Sequence, residues 1–269
     1  MSHLFLAIPN FCGSTLIHAL LETVPSIVPL TPPERTSTHF GGKKDFVEGN
    51  CCALAGYKHL NGPHSMEANM EHVYANPENY DWQFIKKCWE ENWACNNPYA
   101  EIKMQKTPAD IFRIPMIMPH FYDLKWILSV RDPYAYVESI MRKATFNMDP
   151  IRQLDQICFH VMRTMEIQIW NAKFLGNRAY IMTYEDFIAR PYHHREQMSK
   201  WLPGLEYMNF DAKLMIKGQR VESIHDDSVQ KVQCMIDSNP GIIDKINQYF
   251  IPCESLINQW GYELRSPGH

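Results

Sequence analysis

The chain alternates short apolar runs with segments whose apolar residues recur every three or four positions. Leu4–Ile8 is the first run and reads as a buried strand. Pro9–Ser14 follows as a turn, and Thr15–Thr23 sets Leu16, Ile17, Leu20 and Leu21 on one helical face. Residues 25–44 are rich in Pro, Thr, Ser and Gly and read as a loop, long enough to be functional in a compact domain. Residues 66–97 read as helical, with Trp82, Ile85, Trp89 and Trp93 on one face, the spacing that packing against a core produces. Ala100–Gln105 is a further strand candidate and Pro108–Pro119 a short, proline-bounded helix. Lys125–Val130 (KWILSV) is the clearest strand after the first. It runs into Asp132-Pro133, a capping residue followed by proline at the first helical position, which predicts a helix to about Thr145. A long helix over 150–175, a strand at Ala179–Thr183 and a mainly helical remainder follow. Strands alternating with helices imply an α/β fold, a parallel sheet of about four or five strands covered on both faces.

Composition narrows this reading. The 269 residues fit one large α/β domain, and 45% apolar content supports a substantial core. Net charge is −4, from 26 Lys+Arg against 30 Asp+Glu, with no long basic run. Bulk nucleic-acid binding needs a dense cationic footprint and is not expected. The eight cysteines form no Cys-x-x-Cys pair, and the histidines lack helical ligand spacing, so no metal site is expected. Met1–Phe11 lacks the basic region of a signal peptide, and no stretch approaches the roughly 18–20 apolar residues of a membrane span. The expectation is a cytoplasmic protein with reduced thiols and no membrane association.

Two segments carry candidate chemistry. In I8-P9-N10-F11-C12-G13-S14-T15, a glycine and two hydroxyl residues stand where a loop enters a helix. Free amides there suit a phosphate or sulfate, although an ordinary helix cap has the same composition. It is not a Walker A loop, since no Gly-Lys-Ser/Thr follows. In W126-I-L-S-V-R131-D-P-Y-A-Y-V-E-S139, Arg131 falls at the carboxyl end of a strand, where open α/β sheets bind ligands. An arginine fork with the Ser139 hydroxyl would suit a phosphate monoester; a surface arginine beside a well-capped helix is the plain alternative.

Taken together, the loop after the first strand and Arg-Asp-Pro with serine eight residues beyond the arginine resemble the sulfotransferases that use 3′-phosphoadenosine 5′-phosphosulfate (PAPS). K106-T107-P108 looks like that family's Lys-Thr/Ser-Pro or Lys-Thr-His segment, Y184-E185-D186-F187 like its Tyr-Glu-Asp-Leu, and K217-G218-Q219-R220 is a fainter echo of its late Lys-Gly loop. The resemblance spans roughly residues 4–220. It implies a P-loop-like domain over 1–269, with an acceptor-side loop and helical insertion at roughly 25–99. It also implies that PAPS is the co-substrate, with a hydroxyl or amine of a small molecule or carbohydrate as acceptor. Cys12, Gly13, Ser14 and Thr15 would hold the 5′ end, with Asn10 and Phe11 beside them in the donor site. Arg131 and Ser139 would hold the 3′-phosphate, with Tyr184 and Lys217 also in the donor site.

Two departures stand out. The family usually has Lys or Arg two residues before the loop glycine, and here that position is Phe11. Lys106 is the first substitute, with Lys43 and Lys44 behind it. The Lys-Thr-His histidine is replaced by Pro108, so the base is sought in G42-K43-K44-D45-F46-V47-E48, at Glu48 or Asp45, with His39, His59 and His64 as alternatives. Cys12 stands where serine is common and reads as a packing residue. A non-catalytic binding protein on this fold and a P-loop nucleotide kinase remain as rival readings. The kinase reading requires a Walker lysine and a strand-end aspartate that the sequence lacks.

Overall fold

The computed structural model describes residues 1–30, 75–143, 150–216, 219–221 and 224–266. Its centre is a five-stranded, wholly parallel sheet in the order β2-β3-β1-β4-β5. The strands are β1 (Ser2–Ala7), β2 (Ile27–Pro29), β3 (Ile102–Lys106), β4 (Leu124–Val130) and β5 (Ala179–Thr183). The first strand of the chain lies in the middle, with β3 on one side and β4 on the other. Three carboxyl ends therefore meet at one place, where loops rather than helices close the edge.

Alternation along β1 shows why both faces are covered. Leu4, Leu6 and Ile8 join one buried cluster, with α1 (Ser14–Leu21), α4 (Pro133–Lys143) and α5 (Leu154–Leu175). Phe5 and Ala7 join the other, against α2 (Trp82–Asn96) and α3 (Ile114–Ile117). β1 and β4 are largely apolar because their side chains are buried on both faces, whereas β3 (IKMQK) carries Lys103, Gln105 and Lys106, and the edge strand β5 leaves Ile181 exposed. Trp89 and Trp93 are the buried stripe of α2. Trp89 packs edge-to-face on Phe5 and stacks on Phe121, Trp93 packs edge-to-face on Phe121, and Trp93 Nε1 donates to the Met104 carbonyl at 3.1 Å. Core packing, not a ligand pocket, accounts for their spacing.

Beyond β5 come α6 (Tyr184–Ala189), α7 (Pro191–Trp201), α8 (Ser228–Ser238), α9 (Ile242–Phe250) and α10 (Glu254–Gln259). A two-stranded antiparallel ribbon, β6 (Leu214–Ile216) and β7 (Gln219–Val221), interrupts this helical region. The segment read from sequence as a structureless loop contains β2, a three-residue edge strand paired with Ile102–Met104 of β3. The helix expected over Pro108–Pro119 is a broken set: a 3₁₀ turn at Pro108–Phe112, the four-residue α3, and a second 3₁₀ turn at Met118–His120. Each carries a proline in its first turn, which removes a helical amide and prevents one continuous helix. Among the described residues, no helix is long and apolar enough to cross a membrane.

Candidate active site

The loop from β1 to α1 is shaped by two left-handed residues, Phe11 at φ +64° and Gly13 at φ +82°. A side chain at Gly13 would land on the Tyr184 ring, so glycine serves both the backbone angle and the close approach. Gly13 is also the N-cap of α1, which has no side-chain cap. The first amides of that helix have no intrahelical acceptor, and the helix dipole makes their surroundings favourable to anions. Ser14 is buried and Thr15 half-buried at this helix start. The Cys12 thiol is fully buried in the core, and burial pushes its pKa far above the ordinary value. Its amide closes the turn on the Pro9 carbonyl at 3.3 Å. Cys12 is therefore a packing and turn residue. Asn10 and Phe11 are half-buried on the same loop, and the Phe11 ring packs against the core.

Arg131 follows the last residue of β4 and is only 4% exposed. Its guanidinium lies 4.6 Å from the centre of the Tyr184 ring, the same ring that covers Gly13. Burial pushes the Tyr184 hydroxyl up to about 12, against the pull of the neighbouring Arg131 charge. One Arg131 nitrogen, Nη1, donates to the Phe11 carbonyl at 3.3 Å. Nε donates to Ser228 Oγ at 3.1 Å, and Nη2 to Ser228 Oγ at 2.9 Å and Asp227 Oδ1 at 2.6 Å. The arginine thus ties the loop after β1 to the start of α8.

Glu185 supports this arrangement from behind. Its carboxylate accepts the Asp132 amide (3.1 Å), the Ser228 hydroxyl (2.8 Å) and the Tyr262 hydroxyl (2.6 Å), and lies 3.8 Å from Arg131 Nε. Burial nevertheless raises its pKa. Asp132 caps α4 by accepting the Ala135 amide at 2.8 Å and pairs with Arg265 at 3.1 Å. From the long helix α5, Gln168 Nε2 donates to the Ala7 carbonyl at 2.6 Å and the Ser129 carbonyl at 3.2 Å. These two carbonyls end neighbouring strands, so a single buried amide fixes the spacing where the loop leaves the sheet.

Lys106 ends β3 beside Leu6 of β1, at the same carboxyl edge, and is buried. Ser139 is fully buried two turns into α4, and its hydroxyl turns to Glu138 at 3.3 Å. Ser139 and Arg131 share no hydrogen bond among the described residues. Glu48, Asp45, Lys43, Lys44, His39, His59, His64 and Lys217 lie outside the described residues; β6 and β7 flank position 217. Asp227, Ser228, Lys231 and Tyr262 are the residues that sequence reading missed, and Glu185 is visible to it only as part of the Y184-E185-D186-F187 segment, without a role of its own. The only signal for the first two is Asp-Asp-Ser ahead of an amphipathic run, which marks any helix start. Among the described residues, no group of three or more His, Cys, Asp or Glu could hold a metal ion.

A loop with free helix-start amides after the central strand β1, and a buried arginine at the end of neighbouring β4, meet at the carboxyl edge, where open α/β sheets bind ligands. Residues 12–209 match the Sulfotransferase family, and the chain belongs to it. The fold is similar to a sulfotransferase from Mycobacterium avium, at 14% identity and a TM-score of 0.52, covering 100% of this chain and 78% of that one. A sulfotransferase from Alicyclobacillus acidocaldarius gives a TM-score of 0.50 at 13% identity, covering 98% of this chain and 97% of that one. No curated protein sequence matches the chain. Family and fold support sulfuryl transfer as the general activity.

Proposed function

We propose that this enzyme moves a sulfuryl group from PAPS to a hydroxyl or amine of a small-molecule or carbohydrate acceptor. The observation that carries this reading is Arg131, a buried guanidinium at the carboxyl edge, bonded to the Phe11 carbonyl and clasping a carboxylate. A buried guanidinium that holds a carboxylate through one nitrogen, Nη2, can also take a phosphate oxygen, and the donor carries a phosphate monoester at its 3′ position. The amides and hydroxyls at Gly13–Thr15 would receive the 5′ end, and Tyr184 holds the loop and the arginine in one register.

Catalysis in this reading rests on positioning and charge. The acceptor attacks sulfur in line, the sulfur–oxygen bond to the nucleotide breaks, and the leaving 5′-phosphate takes the electron pair. Lys106, at the end of β3, would neutralise that developing charge where Phe11 replaces the usual cation. Glu48 or Asp45 would take the acceptor's proton. A cavity of about 330 Å³ opens beside the Pro108–Phe112 turn, lined in part by Ala75 from the segment 25–99 that we take as the acceptor side. Ile111, Phe112, Ile167 and Trp170 line it, with Arg163 and Glu166 at hand. That size and lining suit a small, partly apolar acceptor. We place the protein in the cytoplasm, in keeping with the buried thiols Cys12 and Cys158.

Calorimetry with adenosine 3′,5′-bisphosphate and adenosine 5′-monophosphate tests the donor reading. The wild type should prefer the 3′-phosphorylated ligand, and Arg131→Ala should erase that preference. Equal loss for both ligands refutes the role of Arg131. Sulfated product from PAPS with an acceptor panel, followed by mass, separates the enzyme from a binding protein on the same fold.

A further inference from the structure

Arg131 is not the only cation on Asp227. Lys231, one turn along α8, donates Nζ to Asp227 Oδ1 at 2.6 Å, and its side chain is only 12% exposed. One carboxylate therefore sits between two largely buried cations. Asp227 is the member of the trio open to solvent, its side chain 35% exposed against 4% for Arg131. It is bonded to the buried arginine through Nη2 and is itself partly exposed. The α8 start does not depend on it: Asp227 makes no side-chain cap, and the Ser228 amide is taken by Asp226 at 2.9 Å. Ser228 is likewise committed elsewhere, since its hydroxyl accepts from Arg131 and donates to Glu185. Glu138, a second carboxylate near Lys231, is engaged by Arg142 at 2.6 Å.

We propose that Asp227 occupies the seat of the donor's 3′-phosphate, and that the donor binds by displacing this carboxylate while Lys231 remains as a second phosphate-binding cation. This rests on the PAPS reading above. The exchange is favoured because a phosphate monoester carries close to two negative charges and three acceptor oxygens, against one charge and two oxygens for Asp227. Two cations held this close gain more from the dianion. The carboxylate needs only a side-chain rotation into solvent, with its backbone left in place. In the unliganded protein the same carboxylate keeps two buried cations from facing each other unpaired. Lys231 thereby supplies a cation to the 3′ half of the site, from a position that no family motif marks.

The test is calorimetry on the full chain with adenosine 3′,5′-bisphosphate and adenosine 5′-monophosphate. Asp227→Asn keeps the shape but removes the competing charge, so it should tighten the bisphosphate about three- to tenfold and leave the monophosphate unchanged. Lys231→Met should weaken the bisphosphate about tenfold with the monophosphate again unchanged. A wild type with no preference between the ligands overturns the donor reading and this inference with it. A wild type that prefers the bisphosphate, but an Asp227→Asn that binds it equally or less well, overturns this inference alone; Asp227 would then be orienting Arg131 rather than holding its ligand's seat. A wild-type complex with the bisphosphate needs no variant: Asp227 should have left Arg131, and a carboxylate still bonded there refutes the displacement.

Discussion

Substituting Gly13 by alanine isolates the physical demand made by the loop after β1. The backbone sits at φ +82°, where an L side chain costs about 1–2 kcal/mol. The added methyl would also lie well under 3.0 Å from Tyr184 Cδ2 and Cε2, and the ring is buried and backed by Arg131. Forcing such a contact in a packed region costs about 1–3 kcal/mol more. Gly13→Ala should therefore lose about 2–5 kcal/mol in urea unfolding, or roughly 4–20 °C in Tm. The two contributions separate in a double-mutant cycle with Tyr184→Ala. Without the ring, the Gly13→Ala cost should fall to the backbone part, about 1–2 kcal/mol. If Gly13→Ala costs the same in both backgrounds, the ring contact is not what demands glycine. A loss below about 0.5 kcal/mol would remove the backbone argument as well.

Other expectations follow from single contacts. His160 is fully buried beside the Tyr136 hydroxyl (3.0 Å), and burial lowers its pKa from 6.5 to about 4. The unfolded chain then takes up a proton below pH 6.5 that the folded one refuses until about pH 4, so stability is lost as pH falls through that window. Integrated, the loss is about 3 kcal/mol, and urea titrations of His160→Gln should lack it; an unchanged pH profile refutes the assignment. Gln168→Leu should cost about 2–3 kcal/mol by leaving the Ala7 and Ser129 carbonyls without their donor, a deficit that equilibrium unfolding reads directly. Lys106→Ala should cut kcat about 100-fold while donor affinity changes less than about threefold; unchanged turnover removes it from the mechanism.

How much of this was legible in the sequence depended on where the determining contacts lie along the chain. β1 and β4 are marked by their own residues, because strands covered on both faces must be largely apolar, and β5, an edge strand with Ile181 exposed, is marked by its run AYIMT. The strand Ala179–Thr183 has the limits that its apolar run suggests. β2 left no such mark: three residues ending in Pro29, on an edge, are held as a strand by pairing with β3. Arg131 is identifiable because it directly follows an apolar strand. Its partners are not, since Asp227 and Ser228 lie 96 and 97 residues further on and look locally like a helix cap. Glu185 sits within the recognised Tyr-Glu-Asp segment, but nothing nearby reveals that Tyr262 completes its hydrogen bonds.

That separation has a consequence in time. β5 completes the sheet at Thr183, but Arg131 must wait for Ser228, 97 residues after it, and Glu185 for Tyr262, 77 residues after it. At ribosomal rates of about 5–20 residues per second, these intervals are roughly 5–20 s and 4–15 s. During synthesis a sheet with its central strands in place would carry an arginine still without Asp227 and Ser228. Slow codons between positions 183 and 228 would lengthen that period, so translation speed, as well as stability, governs how this edge of the protein is put together.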